Sequence, residues 1–369
     1  MSAHFIFDAH LDLALNAIEW NRDLRQPLDA VRGAESHLTD KPGRGCATVT
    51  LDEMRRAGVG ICVATLLARL EHNMWSPVFG WKSQQQAWAM TQGQLAWYRA
   101  MDEAGEMVQI RDLGALESHL ACWQTADKTE RLTLPVGWIL SLEGADSIFT
   151  PAHLERAWAD GLRAVGPAHY GPGVYAMGTE AAGGLPESGR ELLREMDRLG
   201  MILDVTHFTD ECFWEALEVF HGTVWASHHN ARALTPHQRQ LSDEMFLALA
   251  ARGGVSGLAL DAWMMVPGWV RGKTTPQSAG LQLSKLVEHA DHFCQLTGNT
   301  AHVGIGTDLD GCFGYEQTPE DFQRMTALQR LPGLFAARGY SETDIDAILH
   351  GNFLRCLRSA WSDECSAND

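Results

Sequence analysis

Residues 7–12 read FDAHLD, and the apolar residues on both sides of them indicate a buried strand. Side chains two apart in a strand share a face, so Asp8, His10 and Asp12 are expected to point the same way. Carboxylates and an imidazole at the end of a buried strand are costly to desolvate unless they bind something. A divalent metal is the simplest partner, since neutral histidine and aspartate are good zinc ligands. The alternative is a strand end whose histidine is solvated.

Eight short apolar segments recur along the chain, with helix-like segments between them. This alternation is typical of a parallel sheet, and eight repeats of it predict an α/β fold, a (β/α)8 TIM-type barrel. A barrel can reach this length as one unit, so we expect residues 1–369 to form a single domain. The predicted strands are residues 5–12, 59–67, 134–144, 162–170, 201–207, 223–229, 254–260 and 302–308.

Two connections are longer than a minimal barrel needs, and we predict insertions there, after strands 2 and 7. Residues 68–133 contain a helix-like segment at about 83–104 and a second, shorter one. Residues 262–300 begin with a loop that contains proline and glycine, and continue as a helix to about Thr297. Because the loop at 262–278 follows the carboxyl end of a strand, it is either a lid over a substrate or a plain surface insertion.

Capping residues predict the ends of several helices. Residues 187–200 carry leucine and methionine on one face and end in a glycine suited to a C-terminal cap. Residues 242–254 begin with Ser242 as the N-cap. A capping-box-like start from Ser341 to Asp344 opens the closing helical segment. The last eight residues are polar, and we expect them to fray.

The composition excludes some classes of partner. A net charge of −18 repels phosphate backbones and anionic lipids, so neither nucleic acid nor a membrane surface is an expected partner. No run of 18 apolar residues is present, so no membrane span is expected. The eight cysteines form no CxxC pair and the first strand begins without a leader, which favours free thiols and a cytoplasmic location.

Seven of the eight predicted strands end in histidine, aspartate or glutamate. Each of these residues taken alone is best explained as a satisfied polar side chain, but barrel active sites lie at the carboxyl ends of the strands, where these residues converge. Such a set favours a two-metal site that activates a water molecule. Glu143 is central enough in the strand order to bridge the two cations. A further carboxylate there would serve as general base and then general acid. The residues are His10, Asp12, Glu143, His169, His207, His228, Asp261 and Asp308.

Six segments together resemble the membrane (renal) dipeptidase family of binuclear zinc dipeptidases, within the wider amidohydrolase-like barrels. They occur in the order typical of the family and span nearly the whole chain. The segments are FDAHLD, SLEGAD, GRELLREMDRLGMILDVTH, SHHNARAL followed by RQLSDEM, HVGIGTDLDG, and GNFLRCLR.

This resemblance implies a role for each matching residue. His10 and Asp12 are expected to bind one Zn2+, His207 and His228 a second, and Glu143 to bridge them, giving two zinc ions per subunit, although other divalent metals suit the same donors. Asp308 is the expected acid/base and His169 the residue that polarises the scissile carbonyl. Arg239 is expected to bind the substrate carboxylate, a task suited to its bidentate guanidinium. Without the family resemblance, Arg239 is better explained as an arginine at a helix start that forms an ion pair on the surface.

The implied reaction is hydrolysis of dipeptides by a zinc-bridging hydroxide, with L-Xaa-D-Xaa substrates included. The expected partner is a small-molecule dipeptide, and the resemblance also suggests a homodimer. Two segments depart from the family, GPAHYGPGVYAMG around His169 and LDAWMM after the seventh strand, and both are expected to border the substrate and not the metals. Asp261 either contacts a substrate amine or forms an internal ion pair, and His229 is expected to be structural.

The departures leave two alternatives open. One is a related hydrolase that cleaves another amide, an N-acyl amino acid or a lactone. The other is a non-catalytic binding protein that has kept the fold.

Overall fold

Eight parallel strands form a nearly closed barrel in the computed structural model, which describes residues 4–72 and 76–362. The strands are β1 (Ile6–Leu11), β2 (Val59–Leu67), β3 (Arg69–Leu70), β4 (Gly80–Trp81), β5 (Met107–Gln109), β6 (Val136–Glu143), β7 (Leu162–Gly166), β8 (Ile202–Asp204), β9 (Val224–Trp225), β10 (Ser256–Leu258) and β11 (Val303–Ile305). The order around the barrel is β10-β11-β1-β2-β6-β7-β8-β9. A parallel bridge between Ala226 and Ser256 joins its two edges.

The helices fill the connections and the carboxyl-terminal segment. They are α1 (Leu13–Glu19), α2 (Leu28–Glu35), α3 (Leu51–Arg56), α4 (Gln84–Glu103), α5 (Leu113–Thr125), α6 (Pro151–Ala159), α7 (Glu187–Arg198), α8 (Asp210–Val219), α9 (Asp243–Ala251), α10 (Ala262–Met265), α11 (Pro276–Ala279), α12 (Ser284–Thr297), α13 (Leu331–Ala337), α14 (Glu342–Asp346) and α15 (Asn352–Ser362). Across residues 4–72 and 76–362, none of them has the length and apolar character to span a membrane.

The barrel strands are buried on both faces, as expected when helices cover a parallel sheet. Every residue of β1, β2 and β6 is buried. The closing helix α15 contributes to this cover, because Phe353 stacks on Phe7 of β1 with ring centroids 5.4 Å apart. Phe353 also meets Trp225 of β9 edge-on at 5.7 Å. The helix therefore ties the last part of the chain to two strands of the barrel.

The predicted barrel and its two insertions are confirmed. The first insertion holds β3, β4, α4, β5 and α5, and the second holds α10, α11 and α12. The strand β5, which pairs with β6 outside the barrel order, is missing from the prediction. Its three residues, MVQ, are too few to form an apolar run.

Several strands are shorter than predicted at their carboxyl ends. The segment predicted as 201–207 is a strand only over Ile202–Asp204, and the segment predicted as 302–308 only over Val303–Ile305. The last residues of these two predicted segments, His207 and Asp308, have φ values of 69° and 58°. A positive φ cannot continue a strand, so these residues turn out of the sheet.

The predicted helix ends are confirmed by their caps. Gly200 follows α7 with a φ of 68°. The Ser242 side chain accepts a hydrogen bond from the backbone of Met245 at the start of α9, and Ser341 forms a capping box with Asp344 at the start of α14. The predicted fraying at the carboxyl terminus concerns mainly residues 363–369, which lie outside the described residues.

Candidate metal centre

The structure brings the predicted metal ligands together at the carboxyl ends of the strands. Among the described residues, three groups of three potential ligands each have their donor atoms within 4.8 Å of one another, and two of these groups contain Glu143. The first group is His10, Asp12 and Glu143, and the second is Glu143, His207 and His228. A glutamate common to two such groups has the placement expected of a bridging carboxylate.

Glu143, the last residue of β6, lies at the centre of the cluster. Its Oε1 atom is 3.1 Å from Nε2 of His207 and 3.4 Å from Nε2 of His228, while Oε2 is 3.6 Å from Nε2 of His10. Asp12 lies on the His10 side, with Oδ1 3.9 Å from the same Nε2 atom. The two carboxylate oxygens of Glu143 thus face different histidines.

Hydrogen bonds on the far side of the rings orient the histidines. Thr179 Oγ1 lies 2.8 Å from Nδ1 of His207, and Ser227 Oγ lies 2.9 Å from Nδ1 of His228. Partners of this kind fix the ring and leave the other nitrogen for a metal. In both cases the other nitrogen, Nε2, is the one that faces Glu143.

Three buried atoms at the centre have no hydrogen-bond partner among the described residues: His10 Nε2, Asp12 Oδ1 and Glu143 Oε1. Buried polar atoms are nearly always paired, so these three require a partner from outside the protein. Neutral imidazole nitrogens and carboxylate oxygens are suitable ligands for zinc and other divalent cations. The donor set therefore fits the metal centre that the sequence predicts.

The electrostatics of the bare protein groups support the same conclusion. Burial, together with the negative charges of Asp12 and Asp308, raises the pKa of Glu143 well above its usual range. Burial and the nearby Glu19 raise the pKa of Asp12 to about 7. Burial and the positive charge of Arg239 lower the pKa of His10 to about 3. Clustered carboxylates and neutral histidines form a site that positive charge would stabilise.

Asp308 lies at the edge of the cluster, where its carboxylate could act either as a metal ligand or as an acid/base. Its Oδ1 atom is 4.0 Å from Nε2 of His10, and it forms a third potential ligand group with His10 and His228. Burial, followed by the charges of Asp12 and Asp261, raises its pKa well above the usual range. Gly311 leaves room for it, because a Cβ atom there would lie 2.2 Å from Asp308 Oδ1.

Asp8, two residues before His10 on β1, has hydrogen-bond partners of its own. The Asp8 carboxylate accepts hydrogen bonds from the backbone and hydroxyl of Thr307 and from the backbone of His10. These bonds engage its carboxylate, and Asp8 belongs to none of the three ligand groups. Asp12 lies one residue beyond the end of β1 at Leu11, on the same side as His10.

His169 and Arg239 line a cavity of about 530 Å3 above the cluster. The His169 ring centroid lies 4.8 Å from that of His207, and burial followed by Arg69 lowers the His169 pKa well below its usual range. The interpretation of Arg239 as a surface ion pair is wrong, because the residue is only 1% exposed. Its Nη2 donates to the carbonyl of His228 at 3.0 Å, while Nη1 has no hydrogen-bond partner among the described residues.

The 262–278 segment forms part of the cavity wall, which excludes a plain surface insertion. Trp263 and Arg271 line the cavity together with Tyr170, and Arg271 Nη2 donates to the Tyr170 hydroxyl at 3.1 Å. Asp261 forms the internal ion pair, with Oδ2 3.7 Å from Arg271 Nη2, and it also accepts a hydrogen bond from Gln317. Tyr170 and Trp263 lie in the two segments expected to border the substrate. Neither they nor Arg271 are predicted individually, since tyrosine, tryptophan and arginine in a loop give no specific signal.

His229 lies apart from the cluster. It is buried, and its backbone N–H donates to the Gly257 carbonyl at 2.7 Å. Its side chain belongs to none of the three ligand groups. The neighbouring His228, by contrast, faces Glu143.

Comparison with known proteins places the chain in a family. The family model described as "Membrane dipeptidase (Peptidase family M19)" matches residues 1–367. An uncharacterised protein of Klebsiella pneumoniae is 29% identical over 216 residues, which are 56% of this chain and 76% of that protein. An uncharacterised dipeptidase of Schizosaccharomyces pombe is 29% identical over 229 residues, which are 60% of this chain but only 52% of that protein.

A solved structure shares the fold over the full length of both chains. It is a metallopeptidase from Rhodobacter sphaeroides, solved with a phosphinate mimic of the dipeptide L-Ala-D-Ala. It superposes with a TM-score of 0.75 at 22% identity, covering 98% of this chain and 100% of that chain. Since the family model matches nearly every residue, the chain belongs to the membrane dipeptidase family of metallopeptidases, peptidase family M19.

Proposed function

We propose that the protein is a metal-dependent dipeptidase with two divalent cations, zinc being the expected metal. His10, Asp12 and Glu143 would hold one ion, and Glu143, His207 and His228 the other. The observation that carries this proposal is the pair of ligand groups joined through Glu143, with unpartnered buried atoms at their centre. When bound, two such ions lower the pKa of water and polarise a carbonyl oxygen.

The surrounding residues suit the two ends of a dipeptide. Arg239 lines the cavity, its Nη1 atom has no hydrogen-bond partner among the described residues, and it would bind the substrate's α-carboxylate. His169 would donate a hydrogen bond to the carbonyl oxygen that gains negative charge. Asp308, whose pKa is raised by burial, would take a proton from the attacking water and deliver it to the leaving amine.

The size of the cavity and the likeness to a solved structure support the substrate class. A cavity of about 530 Å3 is large enough for a dipeptide. The Rhodobacter sphaeroides relative was solved with a mimic of L-Ala-D-Ala, and we propose that this chain likewise accepts L-Xaa-D-Xaa dipeptides. A second candidate is the hydrolysis of N-acyl amino acids, which the cavity wall of Tyr170, Trp263 and Arg271 favours because it adds aromatic surface beside the site.

A hydrolysis screen tests the proposal. Zinc-loaded protein is assayed with L-Xaa-L-Xaa dipeptides, L-Xaa-D-Xaa dipeptides and N-acyl amino acids, and Asp308→Asn serves as the matched variant. We expect cleavage of dipeptides and a loss of about 100-fold or more in kcat for Asp308→Asn, with metal content unchanged. Cleavage of N-acyl amino acids alone would favour the second candidate, and a protein that binds two metals but cleaves neither class would refute both.

A further inference from the structure

We propose that Ser227 is a positioning residue shared by the two metal sites, so that both ions depend on one hydroxyl group. This inference rests on the metal pair of the proposed function. Ser227 Oγ lies 2.9 Å from Nδ1 of His228 and 3.4 Å from Nδ1 of His10. In the proposed function these two histidines would serve different ions, and their ring centroids are only 3.8 Å apart.

The hydroxyl of Ser227 continues into a chain of hydrogen bonds that ends at a carboxylate. Ser227 Oγ lies 3.3 Å from Thr206 Oγ1, and Thr206 donates to Asp204 Oδ1 at 2.6 Å. The same Asp204 oxygen accepts the backbone N–H of Ser227 at 3.0 Å. Asp204 thus fixes the serine both through its backbone and through Thr206.

This chain fixes the direction of every proton in it. A carboxylate only accepts, so the Thr206 proton goes to Asp204, and the threonine oxygen is left to accept from Ser227. A hydroxyl has one proton and two lone pairs, so Ser227 must then accept from both histidines. Both Nδ1 atoms therefore carry protons, and both Nε2 atoms present a lone pair toward the carboxylates.

Two glycines make room for Ser227 in this position. A Cβ atom at Gly257 would lie 1.9 Å from the carbonyl oxygen of Ser227, and one at Gly306 would lie 1.8 Å from the same oxygen. Neighbouring strands therefore approach the serine backbone more closely than any side chain permits. Ser227 itself is fully buried, so bulk solvent cannot take the place of its hydroxyl.

Metal titration of the chelator-treated full-length protein tests the shared role. Zinc binding is measured by calorimetry for the wild type, for Ser227→Ala and for the control Ser256→Ala. Ser256 is a buried serine of β10 whose hydroxyl donates only to the carbonyl of His229. We expect Ser227→Ala to weaken both binding steps by roughly 10–100-fold, while Ser256→Ala leaves both unchanged.

The outcomes separate this inference from the proposed function. If Ser227→Ala weakens one step only, or neither, the shared role is wrong while the dipeptidase proposal stands. If the wild type binds fewer than two ions, the metal pair itself is refuted, and the shared role with it. If the wild type binds two ions but cleaves no dipeptide, the proposed function fails. The two zinc-binding steps of the wild type and of Ser227→Ala can still be compared, and this comparison decides the role of Ser227.

A second measurement does not depend on the stability of Ser227→Ala. Long-range 1H–15N spectra of histidine-labelled, metal-free protein report which ring nitrogen carries the proton. We expect both His10 and His228 in the Nδ1–H form in the wild type. Thr206→Val removes the acceptor of the Ser227 proton, so a mixture of forms is expected in that variant. An Nε2–H form of either histidine in the wild type, or unchanged spectra in Thr206→Val, would overturn the proposed proton order.

Discussion

The carboxylate of Asp8 holds Thr307 by two hydrogen bonds, one from the hydroxyl at 2.6 Å and one from the backbone N–H at 2.9 Å. Thr307 immediately precedes Asp308, whose φ of 58° lies in the left-handed region. Such a conformation is costly for a residue other than glycine and persists only when its surroundings enforce it. Asp8 also accepts the backbone N–H of His10 at 3.3 Å. One buried carboxylate on β1 therefore locates a predicted metal ligand and the predicted acid/base.

Replacing Thr307 separates this positioning from the chemistry. Thr307→Val keeps the shape but leaves the Asp8 carboxylate without its hydroxyl donor, which costs about 1–3 kcal/mol of unfolding free energy. We expect kcat for dipeptides to fall about tenfold or more, with little change in KM, since the α-carboxylate contact lies elsewhere. Thr307→Ser retains the hydroxyl and should behave like the wild type. Equal kcat values for Thr307→Val and Thr307→Ser would contradict this role of Asp8.

Arg239 provides the sharpest test of the substrate's α-carboxylate. Arg239→Met removes the guanidinium while retaining an apolar stem, and hydrogen bonds to charged groups contribute about 1.5–3 kcal/mol. We expect kcat/KM for dipeptides to fall by about 10–150-fold, mainly through KM. Dipeptide amides lack the carboxylate, so the same variant should lose little activity toward them. A similar loss toward dipeptides and their amides would show that Arg239 acts on the fold or the metals instead.

The burial of the Asp261 carboxyl group predicts a pH dependence of stability. Burial raises the pKa of Asp261 from 3.8 to about 6, although Arg271 opposes this shift. Because the folded-state pKa is the higher one, Asp261 contributes its full stability below about pH 4 and loses it as the pH rises through about 6. The two-unit difference corresponds to about 3 kcal/mol.

Asp261→Asn removes this titration, so the unfolding free energies of wild type and variant should differ by a pH-dependent amount. Denaturant unfolding between about pH 4 and pH 6.5 measures this difference. We expect the wild type to lose stability relative to the variant as the pH rises. A constant difference would mean that Asp261 has the same pKa in the folded and unfolded protein.

The fold and the clustering of the candidate metal ligands were predictable from sequence because both are tied to strand ends. Short apolar runs locate the strands, and His10, Glu143 and His228 follow such runs closely enough to meet at the carboxyl ends of a barrel. What Asp8 binds was not predictable in the same way. Its partner Thr307 lies 299 residues away in the sequence, and only the register of β1 against β11 brings the two together.

The cavity wall was unpredictable for a different reason. Arg239, Arg271 and Tyr170 reach the site from loops, where spacing does not determine direction. Without the family resemblance, Arg239 is indistinguishable from a surface arginine, although it is among the largest fully buried side chains. Loops that carry recognition residues therefore require the structure, whereas the ligands at strand ends do not.

Metal binding is expected to release protons, because the metal-free cluster holds them on its carboxylates. Burial and the nearby Glu19 raise the pKa of Asp12 to about 7, and burial with neighbouring negative charge raises the pKa of Glu143 as well. A cation must displace those protons, so zinc affinity should fall as the pH drops below about 7. Calorimetry at pH 6.5 in buffers of different ionisation enthalpy measures the number released. We expect at least one proton per protein, and fewer from Asp12→Asn. A heat of binding independent of the buffer would show that these carboxylates are already ionised in the metal-free protein.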